Sequence, residues 1–161
     1  MPIQYYIDEA SSKQLLKVMT DPGHPEFKPL VAHNIQIGAC MKEHSTGDGE
    51  PVPGKGNPVT VQKISGAARQ FSNAEFIVII DAHRYAGASP MQQQAMLHHG
   101  LMKIAVEEKD GVVKKAMRQP DIAEFTTTVA RFGTYSEDLH GLREAMEEAG
   151  QRVSAALKTK K

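Results

Sequence analysis

The sequence predicts an α+β domain: a three-stranded or slightly larger sheet packed on a central helix, with helices at both ends. Three observations predict it. Phe76-Ile77-Val78-Ile79-Ile80-Asp81 is a nearly continuous run rich in β-branched residues, as in a strand buried on both faces. A well-capped helical segment begins shortly after it, at Ser89. A second long stretch of helical periodicity closes the chain. With 161 residues and 40% hydrophobic side chains there is enough apolar material for one core, so a single domain over 1–161 is expected.

After Tyr5-Tyr6-Ile7, Asp8 is placed to cap a helix that buries Leu15, Leu16, Val18 and Met19, and Thr20-Asp21-Pro22-Gly23 stops it. His24-Pro25 falls in that turn, and its histidine reads as a solvated loop residue. From Leu30 to Lys42 the period changes to two. Val31, His33, Ile35, Ile37, Ala39 and Met41 share one face, which predicts a half-buried strand with His33 as a hydrogen-bonded core histidine. Residues 43–58 contain four glycines and three prolines and read as a long exposed loop. Gly54-Lys55-Gly56 lacks both the spacing and the strand–helix context of a phosphate-binding loop.

Val59 to Ile64 reads as a second strand, and Ser65 to Asn73 as an irregular turn before the central strand. His83-Arg84-Tyr85 form a polar connection. Ser89 is the N-cap of the central helix, Pro90 suits its first position, and Gln92 completes a capping box; the helix is expected to reach about Glu107 or Glu108. Its adjacent His98 and His99 point about 100° apart on an ideal helix, so they cannot both look straight into one site. Asp110-Gly111 is a turn and Val112 to Arg118 is undecided between helix and strand. Pro120-Asp121-Ile122-Ala123-Glu124 opens a further helix closed by Gly133. Ser136 caps the last helix, whose Leu139, Leu142, Ala145, Met146, Ala149, Val153, Ala156 and Leu157 make a packing face for the core or another chain. A basic tail, 158–161, ends the sequence.

Charge and cysteine usage narrow the function classes. Nineteen Lys and Arg balance nineteen Asp and Glu, so no global field draws the protein to nucleic acid or a membrane. A local patch of Lys13, Lys17, Lys114, Lys115, Arg118 and the C-terminal lysines is the remaining route to DNA. Cys40 is the only cysteine, which excludes an internal disulfide or a multi-thiolate zinc site and suits a reducing compartment. No apolar run approaches the roughly 18 residues of a membrane span. The cytoplasm is therefore the expected location.

Three stretches together resemble the phage metallopeptidase family, zincin-like relatives of SprT-type domains. Phe76-Ile77-Val78-Ile79-Ile80-Asp81-Ala82 resembles the strand that leads to the family's catalytic helix. Gln94-Ala95-Met96-Leu97-His98-His99-Gly100-Leu101-Met102-Lys103 resembles the zinc-binding helix. Pro120-Asp121-Ile122-Ala123-Glu124-Phe125, with Arg131-Phe132-Gly133-Thr134, resembles the downstream helix and turn. The resemblance, from about Val59 to Leu139, implies a small zincin-like fold. In an H-E-x-x-H helix, histidines one turn apart hold zinc and the glutamate beside the first is the general base. Here His99 keeps the first position, Gly100 stands at the glutamate and Lys103 at the second histidine. His98 does not repair the motif, because Met102, four residues on, is a poor zinc ligand.

No catalytic residue is assigned on this pattern, and no cofactor is expected. Zinc held by His99 or His98, with His33, His83 or His140, is the alternative. Lys103 is expected to stand in for the metal by pairing with Glu107, Asp81 or another carboxylate. The leading functional expectation is a catalytically inactive, metallopeptidase-like phage protein that binds a host or phage macromolecule, in a host take-over or counter-defence role. A zinc-dependent hydrolase with a rearranged metal site is the alternative, and DNA association the third. A homodimer through the last helix is also open, whereas membrane association is not expected.

Overall fold

The computed structural model describes residues 2–119 and 137–158. The helix expected at 120–133, the Ser136 cap and the end of the basic tail lie outside the described residues. Two compact units divide the chain, Met1–Arg118 and Gln119–Lys161. In the second, the described element is a helix over Glu137–Lys158, with Arg143–Glu147 and Arg152–Glu148 pairs one turn apart and Leu142 and Met146 exposed. Among the described residues no helix is long and apolar enough to cross a membrane.

The first unit is an α+β fold. Its elements are β1 (Ile3–Tyr6), α1 (Glu9–Thr20), α2 (Lys28–Ala32), β2 (Ile37–Ser45), β3 (Pro51–Val52), β4 (Val59–Lys63), β5 (Phe76–Asp81), α3 (Ala82–Ala86), α4 (Pro90–Met102), β6 (Ile104–Lys109) and β7 (Val112–Met117). The main sheet runs β1-β2-β5-β4, with β3 paired to the end of β2. Only the β2–β5 pair is parallel, in register from Ile37↔Phe76 to Lys42↔Asp81. Strands β6 and β7 form a separate hairpin.

The central strand is buried as its composition predicts, but not equally on both faces. Phe76, Val78 and Ile80 are fully buried, whereas Ile77 and Ile79 are half-buried, so one face of the sheet carries the core. That core joins them to Leu15 and Val18 of α1, Leu97 and Leu101 of α4, and Val59 of β4. Helix α1 starts where expected, its Ser11 amide donating to the Asp8 carboxylate at 2.7 Å. Leu16, expected inside, is exposed.

Elsewhere the structure corrects the sequence reading. Residues 30–42 are not one strand: a 3-10 turn at Pro25–Phe27 and helix α2 come first, and the chain reverses at Asn34 with φ 49° before β2 begins. Pro25 and Pro29 preset the helical φ of this segment, and an asparagine with positive φ ends the helix, so local backbone preference overrides the period-two pattern. His33 consequently caps α2, half-buried and 3.6 Å from Glu108, and is not a core histidine. The 43–58 stretch is only partly loop, because β2 extends to Ser45, β3 pairs back on it and Gly54 is buried.

Helix α4 has the expected capping box, with the Gln92 amide on the Ser89 hydroxyl and the Ser89 amide on the Gln92 side chain. It stops at Met102, five or six residues short of expectation, and 104–109 become β6. Asp110 and Gly111 both adopt positive φ, at 53° and 76°, the backbone of a tight two-residue hairpin turn. The undecided 112–118 segment supplies the partner strand β7.

Two contacts fix the placement of these elements. A Cβ built on Gly100 would lie 2.8 Å from Val78 Cγ1 and 3.0 Å from Val59 Cγ1, so α4 seats on the sheet at a distance that only glycine permits. Glu75, at the entry to β5, accepts the Gln36 amide at 3.1 Å and binds the Lys115 ammonium of the hairpin, with Arg69 4.0 Å away. Desolvation pushes its carboxyl up, but Lys115, the Gln36 amide and Arg69 outweigh it and hold the pKa below the ordinary value.

Gly100→Ala should lower stability by about 1–2 kcal/mol in urea denaturation, since overpacking at the sheet exceeds the roughly 1 kcal/mol gain in helix propensity. A stabilised variant would contradict the close approach. Glu75→Gln should cost about 1–2 kcal/mol at neutral pH through the lost charge-assisted bonds. Because the folded pKa is depressed, that stabilisation is present above the unfolded carboxyl value and disappears as pH falls through the folded one. The urea midpoints of wild type and variant should therefore converge in acid, and a constant separation at every pH would refute the linkage.

Candidate functional site beside helix α4

His99 is exposed at the mouth of an open cleft of about 920 Å³. Asn57, Pro58 and Val59 form one wall, and His83, Arg84, Gly87 and Ala88 another. Helix α4 contributes Gln92, Ala95, Met96 and His99. The His99 ring nitrogen Nε2 lies 3.5 Å from Asn57 Nδ2. Burial, then the neighbouring Lys103 and His98 charges, hold its pKa below the usual imidazole value, which favours the neutral ring near pH 7.

Lys103 is half-buried, and its Nζ donates to the Val59 carbonyl at 2.9 Å. Burial pushes its pKa down. The expected carboxylate partner is thus replaced by a backbone oxygen. Asp81 is engaged elsewhere, accepting the Gly54 amide at 2.7 Å and the Arg84 amide at 2.9 Å.

At the positions where an H-E-x-x-H helix builds its centre, the chain therefore offers one imidazole, no carboxylate and an amine tied to the sheet. A glutamate at Gly100 has no space, because even its Cβ would press on Val78 and Val59. These residues do not fit a zinc ion.

The same amine covers a strand edge. The Pro58 carbonyl accepts from Asp81 and the Ile64 amide donates to Glu75, so the even-numbered residues of β4 face β5 and the odd ones face outward. The two outward groups of Val59 are both taken: its amide donates to Asn57 Oδ1 at 3.0 Å and its carbonyl accepts from Lys103.

Arg84 has a structural role beside the cleft that sequence reading did not assign to it. Arg84 donates to the Gly56 carbonyl at 2.6 Å and to the Gly54 carbonyl at 2.5 Å, pinning the glycine-rich loop. Gly54 sits so close to the buried His44 and Asp81 that a Cβ there would be 2.5 Å from His44 Nε2 and 2.7 Å from Asp81 Oδ2. The loop's glycines were the available signal, but their tertiary partners are remote in sequence.

His98 points away from His99, as the helix geometry requires. Its Nε2 lies 2.6 Å from Glu26 Oε1, and its ring meets those of His24 and Phe27 edge-on, with centroids 5.0 and 4.9 Å apart. His24 Nδ1 is 3.6 Å from the same Glu26 oxygen. Desolvation raises the Glu26 carboxyl, but a backbone hydrogen bond and the His98 and His24 rings outweigh it, leaving its pKa lowered. His24, expected as a solvated loop residue, is therefore half-buried and partnered. Among the described residues, three potential metal-ligating groups gather at His98 with His24 and Glu26, and none gather at His99. His83 lines the His99 cleft without forming such a cluster, His33 is beside Glu108, and His140 lies in the second unit.

The proposed basic patch is partly engaged: Lys13 lies 3.9 Å from Glu9, and Lys115 binds Glu75. Cys40 is half-buried, and its burial pushes the thiol pKa up, away from the reactive thiolate.

The model of a family described as "Putative phage metallopeptidase" matches residues 4–152. No curated protein and no solved structure matches the chain significantly. Family coverage thus spans all of the main sheet but Ile3, α4 and most of the last helix, well beyond the three stretches that carried the resemblance. With nearly its whole length matched, the chain belongs to the putative phage metallopeptidase family.

Proposed function

We propose that this chain is a non-hydrolytic member of its family that binds an apolar segment of a host or phage protein in the cleft beside α4. The observation that carries the reading is Gly100. It occupies the general-base position, and the close approach of Val78 and Val59 leaves no room to restore a carboxylate. Lys103, on the Val59 carbonyl, removes the second ligand in the same way.

Loss of chemistry leaves the cleft intact. Its volume falls within the range of ordinary ligand sites, with Val59, Ala95 and Met96 as apolar surface and Asn57, Gln92 and His99 as polar groups around it. Arg84 and Asp81 hold the 54–56 loop that leads into the 57–59 wall, so that wall is preformed and little ordering opposes binding. With the Val59 edge groups already satisfied, the partner is held by side-chain contacts there rather than by extending β4. A balanced net charge and the engagement of Lys115 argue against DNA as the main partner. Action in the host cytoplasm, as a take-over or counter-defence protein, is the role consistent with this chemistry.

Two measurements test the proposal. Protein supplied with zinc should leave unfolded casein intact; zinc-dependent cleavage abolished by His99→Ala would overturn the non-hydrolytic reading. Peptides selected on immobilised protein from a random displayed library should be apolar at their centre. They should lose about tenfold or more in affinity, roughly 1.4 kcal/mol, on Ala95→Trp, which fills the cleft. Unchanged affinity in that variant, with its fold verified by circular dichroism, would place binding elsewhere.

A further inference from the structure

We propose that His24, Glu26 and His98 form a binding site for a zinc-class divalent cation, on a different face of α4 from the cleft. The site is independent of the cleft reading and of the altered centre at His99, and nothing in the H-E-x-x-H pattern points to it.

Its ligands come from two firmly held elements. His24 and Glu26 flank Pro25 in the 3-10 turn, where the His24 amide donates to the Asp21 carbonyl at 2.9 Å and the Phe27 amide to the His24 carbonyl at 3.2 Å. Phe27 is 1% exposed and anchors the turn in the core. His98 projects from α4 between the fully buried Leu97 and Leu101. Both elements hold the backbone of the three ligands in place, so only side-chain torsions remain to be set.

The separations are close to what a metal needs. Tetrahedral coordination at about 2.0–2.1 Å sets ligand atoms roughly 3.3–3.5 Å apart. Here Glu26 Oε1 is 3.6 Å from His24 and 2.6 Å from His98, and all three ligand atoms lie within 4.8 Å of one another. A cation entering the triangle lengthens the short side and shortens the long one, which side-chain torsions alone accomplish.

Two imidazoles and one carboxylate suit zinc, cobalt or nickel, whereas magnesium and calcium prefer all-oxygen sets. Three protein ligands leave a position for water or a partner's side chain. The Phe27 ring, 4.9 Å from that of His98, gives the site an apolar side. Without the cation, what remains is a partly exposed Glu26–His98 pair of small energetic worth. With it, the α1–α2 turn is cross-linked to α4, and binding to the folded state raises stability.

Tag-free, chelator-treated full-length protein should bind one equivalent of Zn²⁺ by calorimetry and unfold at a higher temperature when loaded. Co²⁺ should give the visible absorption of a four-coordinate site. Glu26→Gln, which preserves shape and hydrogen bonding, and His98→Ala should each weaken binding by roughly tenfold or more. His99→Ala should leave it unchanged. No binding at millimolar Zn²⁺, binding indifferent to Glu26→Gln and His98→Ala, or binding lost in His99→Ala would each overturn the assignment. None of these outcomes depends on whether the cleft holds a peptide.

Discussion

The close seating of α4 on β5 and β4 is the constraint on which the rest of the first unit depends. Gly100 lets the helix backbone rest on Val78 and Val59, and this brings Leu97 and Leu101 into the core with Phe76 and Ile80. Glycine in a helix interior costs roughly 1 kcal/mol relative to alanine, and here the packing it permits offsets that cost. The same depth brings Lys103 within reach of the Val59 carbonyl. One residue thus sets the helix height, leaves no space for a side chain at its own position and lets Lys103, three residues on, satisfy a strand edge.

Around that seat, buried polar groups organise the cleft. Asp81 ends the central strand, caps α3 through the Arg84 amide and receives the Gly54 amide, while Arg84 returns to the Gly54 and Gly56 carbonyls. A carboxylate with two backbone donors is well stabilised in a buried setting, and it fixes the glycine-rich loop that leads into the cleft wall at Asn57. His44 completes the crowding at Gly54, its buried Nδ1 without a hydrogen-bond partner.

The adjacent histidines show how one helix serves two environments. A step of about 100° sends His99 to the cleft and His98 to the turn at Pro25–Phe27. His99 lies beside the Asn57 amide, and its partial burial, followed by the Lys103 and His98 charges, favours its neutral form. His98 meets a carboxylate and a second imidazole, three groups able to ligate a metal ion. The family's chemistry and the chain's own metal-like cluster therefore fall on different faces.

The sequence by itself determined the elements whose signals are local. Asp8 and the Ser89–Gln92 box fixed two helix starts, the apolar run fixed β5, Asp110-Gly111 fixed a turn, and the altered motif at His99, Gly100 and Lys103 was legible as residue identity. Tertiary structure decided what depends on remote partners. Ile104 to Lys109 became a strand because β7 was there to pair with it, although the helical pattern also ran through it. His24 gained significance only when the turn met α4, some seventy residues on. The reason for Gly100, the carbonyl that receives Lys103 and the wall held by Arg84 are likewise distances between segments, and no spacing along the chain encodes them.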